Sequence, residues 1–112
     1  MFRVGILAVV ALLVCSATAG HASAGRKPAT HTVTIEGMVF KPASLTIATG
    51  DTVVWLNKDI VEHTATAEGK FDSKMIAAGK SWKQTFKTSG DFPYVCKYHP
   101  TMKGTLKVAG RP

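Results

Sequence analysis

The stretch Gly90-Asp-Phe-Pro-Tyr94-Val-Cys96-Lys-Tyr-His99-Pro-Thr-Met102-Lys-Gly104 decides how this chain is read. Ser89-Gly90-Asp91 is a turn signal. Behind it, Phe92 to Cys96 reads as a short strand, and Gly104 to Val108 reads as the next. Cys96 then ends one strand, and the sequence places His99 and Met102 on the loop before another begins near Lys103. Upstream, a period of two returns in Trp82-Lys-Gln-Thr-Phe86, in Ser44-Leu-Thr-Ile47 and in Thr32-Val-Thr-Ile-Glu36. Val53 to Leu56 is a short apolar run of the kind buried on both faces, and Gly50-Asp51 marks the turn before it. Lys70 to Lys80 neither alternates nor reads as strongly helical, so it is expected to be a loop with room for one helical turn. Short strands at this spacing predict an all-β chain, a Greek-key β-sandwich or barrel of about seven to eight strands.

Cys96, His99 and Met102 put a thiol, an imidazole and a thioether within one short segment, and His63 adds a second imidazole from far upstream. A Greek-key frame can bring those two regions to one pole. Soft sulfur holds Cu(I), and imidazole tolerates both oxidation states of copper. Zinc has little use for a thioether, so the methionine argues for copper over zinc. His63, Cys96, His99 and Met102 are therefore the candidate ligands of one copper ion. Ligands on a rigid frame reorganise little when the metal changes charge, which is what fast electron transfer needs. Taken singly, each has a plainer reading, since histidine serves many roles and methionine fills irregular gaps. Met38 and Met75 keep that plainer reading, His31 lies in the expected flexible lead, and Trp55, Trp82, Phe92 and Tyr94 read as core.

The 112 residues suffice for one domain. Arg3, the apolar run Val4 to Val14 and the small residues after it read as a secretory signal peptide over residues 1–24. Small-x-small sites end at Ala19 and Ala24, and the apolar run is shorter than the roughly 20 residues of a membrane span. An uncleaved anchor is the alternative. Residues 25–31 are expected to form a flexible lead and residues 32–112 a single copper-binding domain. Export, to the bacterial periplasm, leaves Cys96 alone, because Cys15 departs with the signal. A lone cysteine in an oxidising compartment is a reactive thiol unless it is bound, and metal ligation removes that liability. The net charge is +7, from 14 basic and 7 acidic residues. Scattered lysines serve as solvated strand faces, with steering toward an acidic redox partner as their functional reading. Without an arginine cluster, nucleic acid is not the expected partner.

From Val33 onward the chain resembles the cupredoxins, the small blue copper proteins, and within them the amicyanin and plastocyanin branch. The resemblance runs through Met38-Val-Phe40-Lys-Pro42, Leu45-Thr-Ile-Ala-Thr-Gly50-Asp51-Thr-Val-Val-Trp55-Leu-Asn57-Lys-Asp59, His63-Thr64 and the stretch quoted at the outset. The short C-x2-H-x2-M loop, with proline after the histidine, is similar to the amicyanin form. The resemblance implies a trigonal set of His63, Cys96 and His99 with Met102 as a long axial contact. It also implies that His99, beside Pro100, is the electron exit through an apolar patch. Two positions depart from relatives. Thr64 stands where an asparagine often ties the two ligand loops together, a bond that a hydroxyl can imitate. Tyr98 stands where many relatives carry proline, so a backbone N–H is restored there. Aimed at the Cys96 sulfur, that N–H would favour Cu(I).

These readings imply a small exported type 1 copper protein, a monomer that carries single electrons between redox protein partners. Four protein donors would close the site, so no enzyme activity is expected. Copper oxidases and copper nitrite reductases contain such domains but need further copper sites and at least one more domain. The alternative is a periplasmic protein for copper delivery or buffering, which calls for open methionine- and histidine-rich ligation. A third reading leaves the site empty or zinc-filled in the cell. No stable membrane insertion is expected after signal cleavage.

Overall fold

The computed structural model describes residues 27–111, and these form nine β-strands and no helix. In chain order the strands are β1 (Thr30–Glu36), β2 (Val39–Lys41), β3 (Ser44–Ala48), β4 (Thr52–Asn57), β5 (Thr66–Ala67), β6 (Phe71–Asp72), β7 (Ser81–Thr85), β8 (Gly90–Cys96) and β9 (His99–Ala109). They make two sheets, ordered β2-β1-β4-β7 and β3-β9-β8-β5-β6. Each sheet contains one parallel pairing, β1 with β4 and β3 with β9, which stitches segments distant in sequence. The expected signal peptide lies outside the described residues.

Alternation explains why these segments are strands. In β4, Val53, Trp55 and Asn57 are buried between half-buried neighbours, and in β9 Met102, Gly104, Leu106 and Val108 are buried between exposed ones. One face of each sheet therefore turns inward, as a period of two requires. Trp55 sits at the centre, with the rings of Phe71, Trp82 and Tyr94 at centroid distances of 5.5, 5.4 and 5.6 Å. Such pairs contribute about 0.5–1.5 kcal/mol each beyond the area they bury. Gly104 lies opposite Tyr94 across the β8–β9 pair. A Cβ at 104 would run into the Tyr94 ring, 2.7 Å from Cε2, so the ring's position requires the missing side chain.

Three boundaries differ from the sequence expectation. His99 and Met102 are not on a loop: β9 begins at His99, and Lys97-Tyr98 is a two-residue turn. Pairing of Cys96 with His99, after a register shift between Val95 and Cys96, starts the second strand at once. Lys70 to Lys80 contains no helical turn. It holds β6 instead, and Ile76 forms an isolated bridge with His63. Finally, the lead is anchored earlier than residue 32, because Thr30 and His31 pair with Thr52 and Val53 in β1.

Asp51 supplies that anchor. Its carboxylate, on a residue 4% exposed, accepts the amides of Ala29 at 2.9 Å and Ala48 at 3.1 Å. It also faces His31 Nε2 at 3.0 Å and accepts from the Arg111 guanidinium at 2.8 Å. Burial pushes its carboxyl upward, but the Ala29 amide, the His31 ring, the Ala48 amide and Arg111 together hold it well below the usual carboxylate range. One side chain thus fastens the start of β1, the turn before β4 and the segment after β9.

Candidate metal centre

The opposite end of β4 builds the site. Asn57 is fully buried, donates from Nδ2 to the carbonyls of Val61 at 2.8 Å and Ile76 at 2.9 Å, and accepts the Asp59 amide at 2.9 Å. Those three bonds fold the segment between Asn57 and His63 into a fixed loop. Asp59 in turn accepts the amides of Gly37 at 2.7 Å and Met38 at 3.0 Å, and contacts His63 Nε2 at 2.8 Å. Burial works against ionisation of Asp59, yet the Met38 and Gly37 amides and the His63 ring lower its pKa overall. An ionised carboxylate only accepts, so Nε2 of His63 carries a hydrogen, and in the neutral ring Nδ1 keeps its lone pair.

That lone pair faces the sulfur. His63 Nδ1 lies 3.7 Å from Cys96 Sγ, and His99 Nδ1 lies 3.6 Å from the same sulfur. The three donor atoms all fall within 4.8 Å of one another. His63 and Cys96 are fully buried, and His99 is half-buried. The N···S separations are long for hydrogen bonds between these groups. They suit ligands sharing one ion at bond lengths of about 2.0–2.3 Å. Cys96 is a free thiol, and one thiol with two imidazoles is a donor set that copper accepts. Met102, the fourth expected donor, is buried on β9 three positions beyond His99.

The two departures noted in the sequence have different outcomes. Thr64 does tie the ligand loops, since its Oγ1 accepts the Lys97 amide at 2.9 Å. Among the described residues, no hydrogen bond runs from the Tyr98 N–H to the sulfur. The Thr64 amide takes that role, donating to Cys96 Sγ at 3.3 Å. Tyr98 sits at the tip of the turn and is 51% exposed. His31 is ordered but lies with Asp51, outside the site. Sequence reasoning missed Asn57 and Asp59. The usable signals were an Asn-x-Asp turn pattern and the spacing of Asp59 four residues before His63.

Exposed apolar side chains gather on the same loops. Ile60 and Val61 precede His63, Met75 precedes its bridge partner Ile76, Met38 follows Gly37 at the Asp59 carboxylate, and Tyr98 lies between Cys96 and His99. No helix among the described residues is long and apolar enough to cross a membrane.

Comparison with known proteins gives a consistent picture. The Cupredoxin-like domain family matches residues 5–108. Amicyanin of Paracoccus versutus is 30% identical over 82 residues, which cover 68% of this chain but only 62% of that protein. Plastocyanin of Scenedesmus fuscus is 35% identical over 85 residues, covering 63% of this chain and 87% of the plastocyanin. The crystal structure of the Paracoccus versutus amicyanin superposes with a TM-score of 0.66 at 30% identity, over 79% of this chain and 89% of that one. An amicyanin variant in its Cu(I) form gives 0.68 at 26% identity, over 80% and 90%. The Cu-containing nitrite reductase of Thermus scotoductus SA-01 gives 0.69 at 28% identity over 76% of this chain, but the match spans 23% of that enzyme.

Proposed function

The chain belongs to the cupredoxin-like domain family, and from that membership we propose that it is a type 1 copper protein, a mobile carrier of single electrons between redox proteins. His63, Cys96, His99 and Met102 would hold one copper ion. The observation that carries this reading is the convergence of Cys96 Sγ with the Nδ1 atoms of two histidines from separate parts of the fold, His63 before β5 and His99 at the start of β9. When bound, copper supplies a one-electron couple between Cu(I) and Cu(II).

The protein's own groups define the rest. Asp59 fixes the ring of His63 and its tautomer, as a carboxylate behind a ligating histidine does. The Thr64 amide donates to the thiolate and drains charge from it. Burial of His63 and Cys96 shields that side of the site from water, and four protein donors would leave a bound copper no position for a substrate. His99, half-buried beside exposed Tyr98 and Pro100, is the ligand through which an electron would leave. The apolar side chains on the surrounding loops suit brief contact with a partner, and Lys58, Lys74 and Lys97 on the same loops suit an acidic one. Export to the periplasm, cleavage of the leader and a monomeric state complete the proposal.

Copper delivery is the competing function, and colour separates the two. Copper-loaded protein is expected to show the intense blue absorption and EPR signature of a thiolate-bound Cu(II), with a reversible potential. Cys96→Ser should abolish the band. A nearly colourless protein that surrenders copper to a chelator would mark a delivery protein instead.

A further inference from the structure

Lys97 is held at both of its ends by one circuit of hydrogen bonds. Its amide donates to Thr64 Oγ1 at 2.9 Å, Thr64 Oγ1 lies 3.0 Å from Thr66 Oγ1, and Thr66 Oγ1 donates to Asp72 Oδ1 at 3.1 Å. The other carboxylate oxygen, Asp72 Oδ2, accepts the Lys97 ammonium at 3.1 Å. The circuit thereby fastens the turn between Cys96 and His99 to β5 and β6.

The direction of each bond follows from the anion at its end. A carboxylate accepts only, so the Thr66 proton goes to Asp72 and its lone pairs face Thr64. The Thr64 proton then goes to Thr66, and its lone pairs face the Lys97 amide. All three bonds point one way, toward a negative charge, and such chains polarise one another. The Lys74 amide foremost, against burial, and then the Lys97 ammonium and the Thr66 hydroxyl hold Asp72 well below the usual carboxylate range, so the charge is present. Both hydroxyls are buried, whereas the Lys97 ammonium is half-exposed, and exposed ion pairs contribute little. The weight of the circuit therefore lies in the threonines.

Thr64 is also the residue whose amide reaches Cys96 Sγ. We propose that Asp72 is a positioning residue for the copper thiolate, acting through Thr66 and Thr64 to hold the Thr64 amide on the Cys96 sulfur. This rests on the reading of Cys96 as a copper ligand. A donated N–H draws electron density from the sulfur and favours Cu(I), so loosening the chain should lower the reduction potential.

Thr66→Val breaks the chain while keeping the side chain's shape and the Asp72–Lys97 pair, and Thr66→Ser keeps the hydroxyl. Redox titration of the copper-loaded proteins should show Thr66→Val shifting the Cu(I)-to-Cu(II) affinity ratio threefold to tenfold toward Cu(II). At 59 mV per tenfold that is a fall of about 30 to 60 mV. Hydrogen exchange of the Thr64 amide in the metal-free protein should accelerate in Thr66→Val and stay near wild type in Thr66→Ser. An unchanged potential in Thr66→Val overturns the proposal, as does an equal shift in both variants, which would trace the effect to packing. Should Thr66→Val fail to fold, Asp72→Asn is read the same two ways. A wild-type protein without the blue band overturns the copper reading, and the metal-free exchange then decides the hydrogen-bonded chain by itself.

Discussion

Asp59 shows how one side chain can serve two loops and a candidate ligand. Its carboxylate holds the Gly37 and Met38 amides and the Nε2 of His63. Removing its charge takes a negative group from behind the metal, and that loss bears hardest on the more highly charged Cu(II). Asp59→Asn is expected to weaken Cu(II) binding about 10- to 100-fold and to raise the potential, the opposite sign to Thr66→Val. Chelator competition and redox titration check both, and a variant unchanged in each would leave Asp59 as a cap for the Gly37 turn alone. The candidate ligands were legible, because Cys96, His99 and Met102 are uncommon side chains at short spacing. Asp59 was not, because carboxylates are common and its partner is chosen by the loop that Asn57 folds.

At the level of elements, the β8–β9 hairpin carries three of the four candidate ligands and the close approach of Tyr94 to Gly104. Gly104 leaves the space that the Tyr94 ring occupies. Gly104→Ala should cost about 1–3 kcal/mol through overpacking, read by urea denaturation. An unaltered midpoint would mean that the ring gives way freely. The strands rich in alternating apolar residues, such as β4 and β9, were readable from their period. β5 and β6 were not, since two residues have no period and their pairing is decided by neighbours. The turn at Lys97-Tyr98 escaped because it contains no glycine, asparagine or aspartate, and its tightness comes instead from the pairing of Cys96 with His99.

Across the whole molecule, Asp51 is one of the carboxylates, with Asp59 and Asp72, whose contribution to stability acid removes. Its folded pKa lies below the unfolded value near 3.9. Between the two values the unfolded chain binds more protons, so the stabilisation is complete above about pH 5 and drains away as the pH falls through the folded value. Asp51→Asn should cost about 3 kcal/mol at neutral pH, and the gap from wild type should narrow toward pH 2 in denaturant unfolding at stepped pH. An equal gap at every pH would deny the carboxylate this role. The two-sheet architecture was legible from strand count and turn signals, but this fastening was not. It joins residues about 60 positions apart, and nothing in the sequence around His31 marks it as a partner for Asp51.

Asp51 and Asn57-x-Asp59 stand at opposite ends of β4, whose six residues span roughly 20 Å. Perturbations that far apart, with no shared partners, add without interfering. Evolution, or an engineer, can accordingly adjust how long the molecule survives while leaving untouched the voltage at which it works.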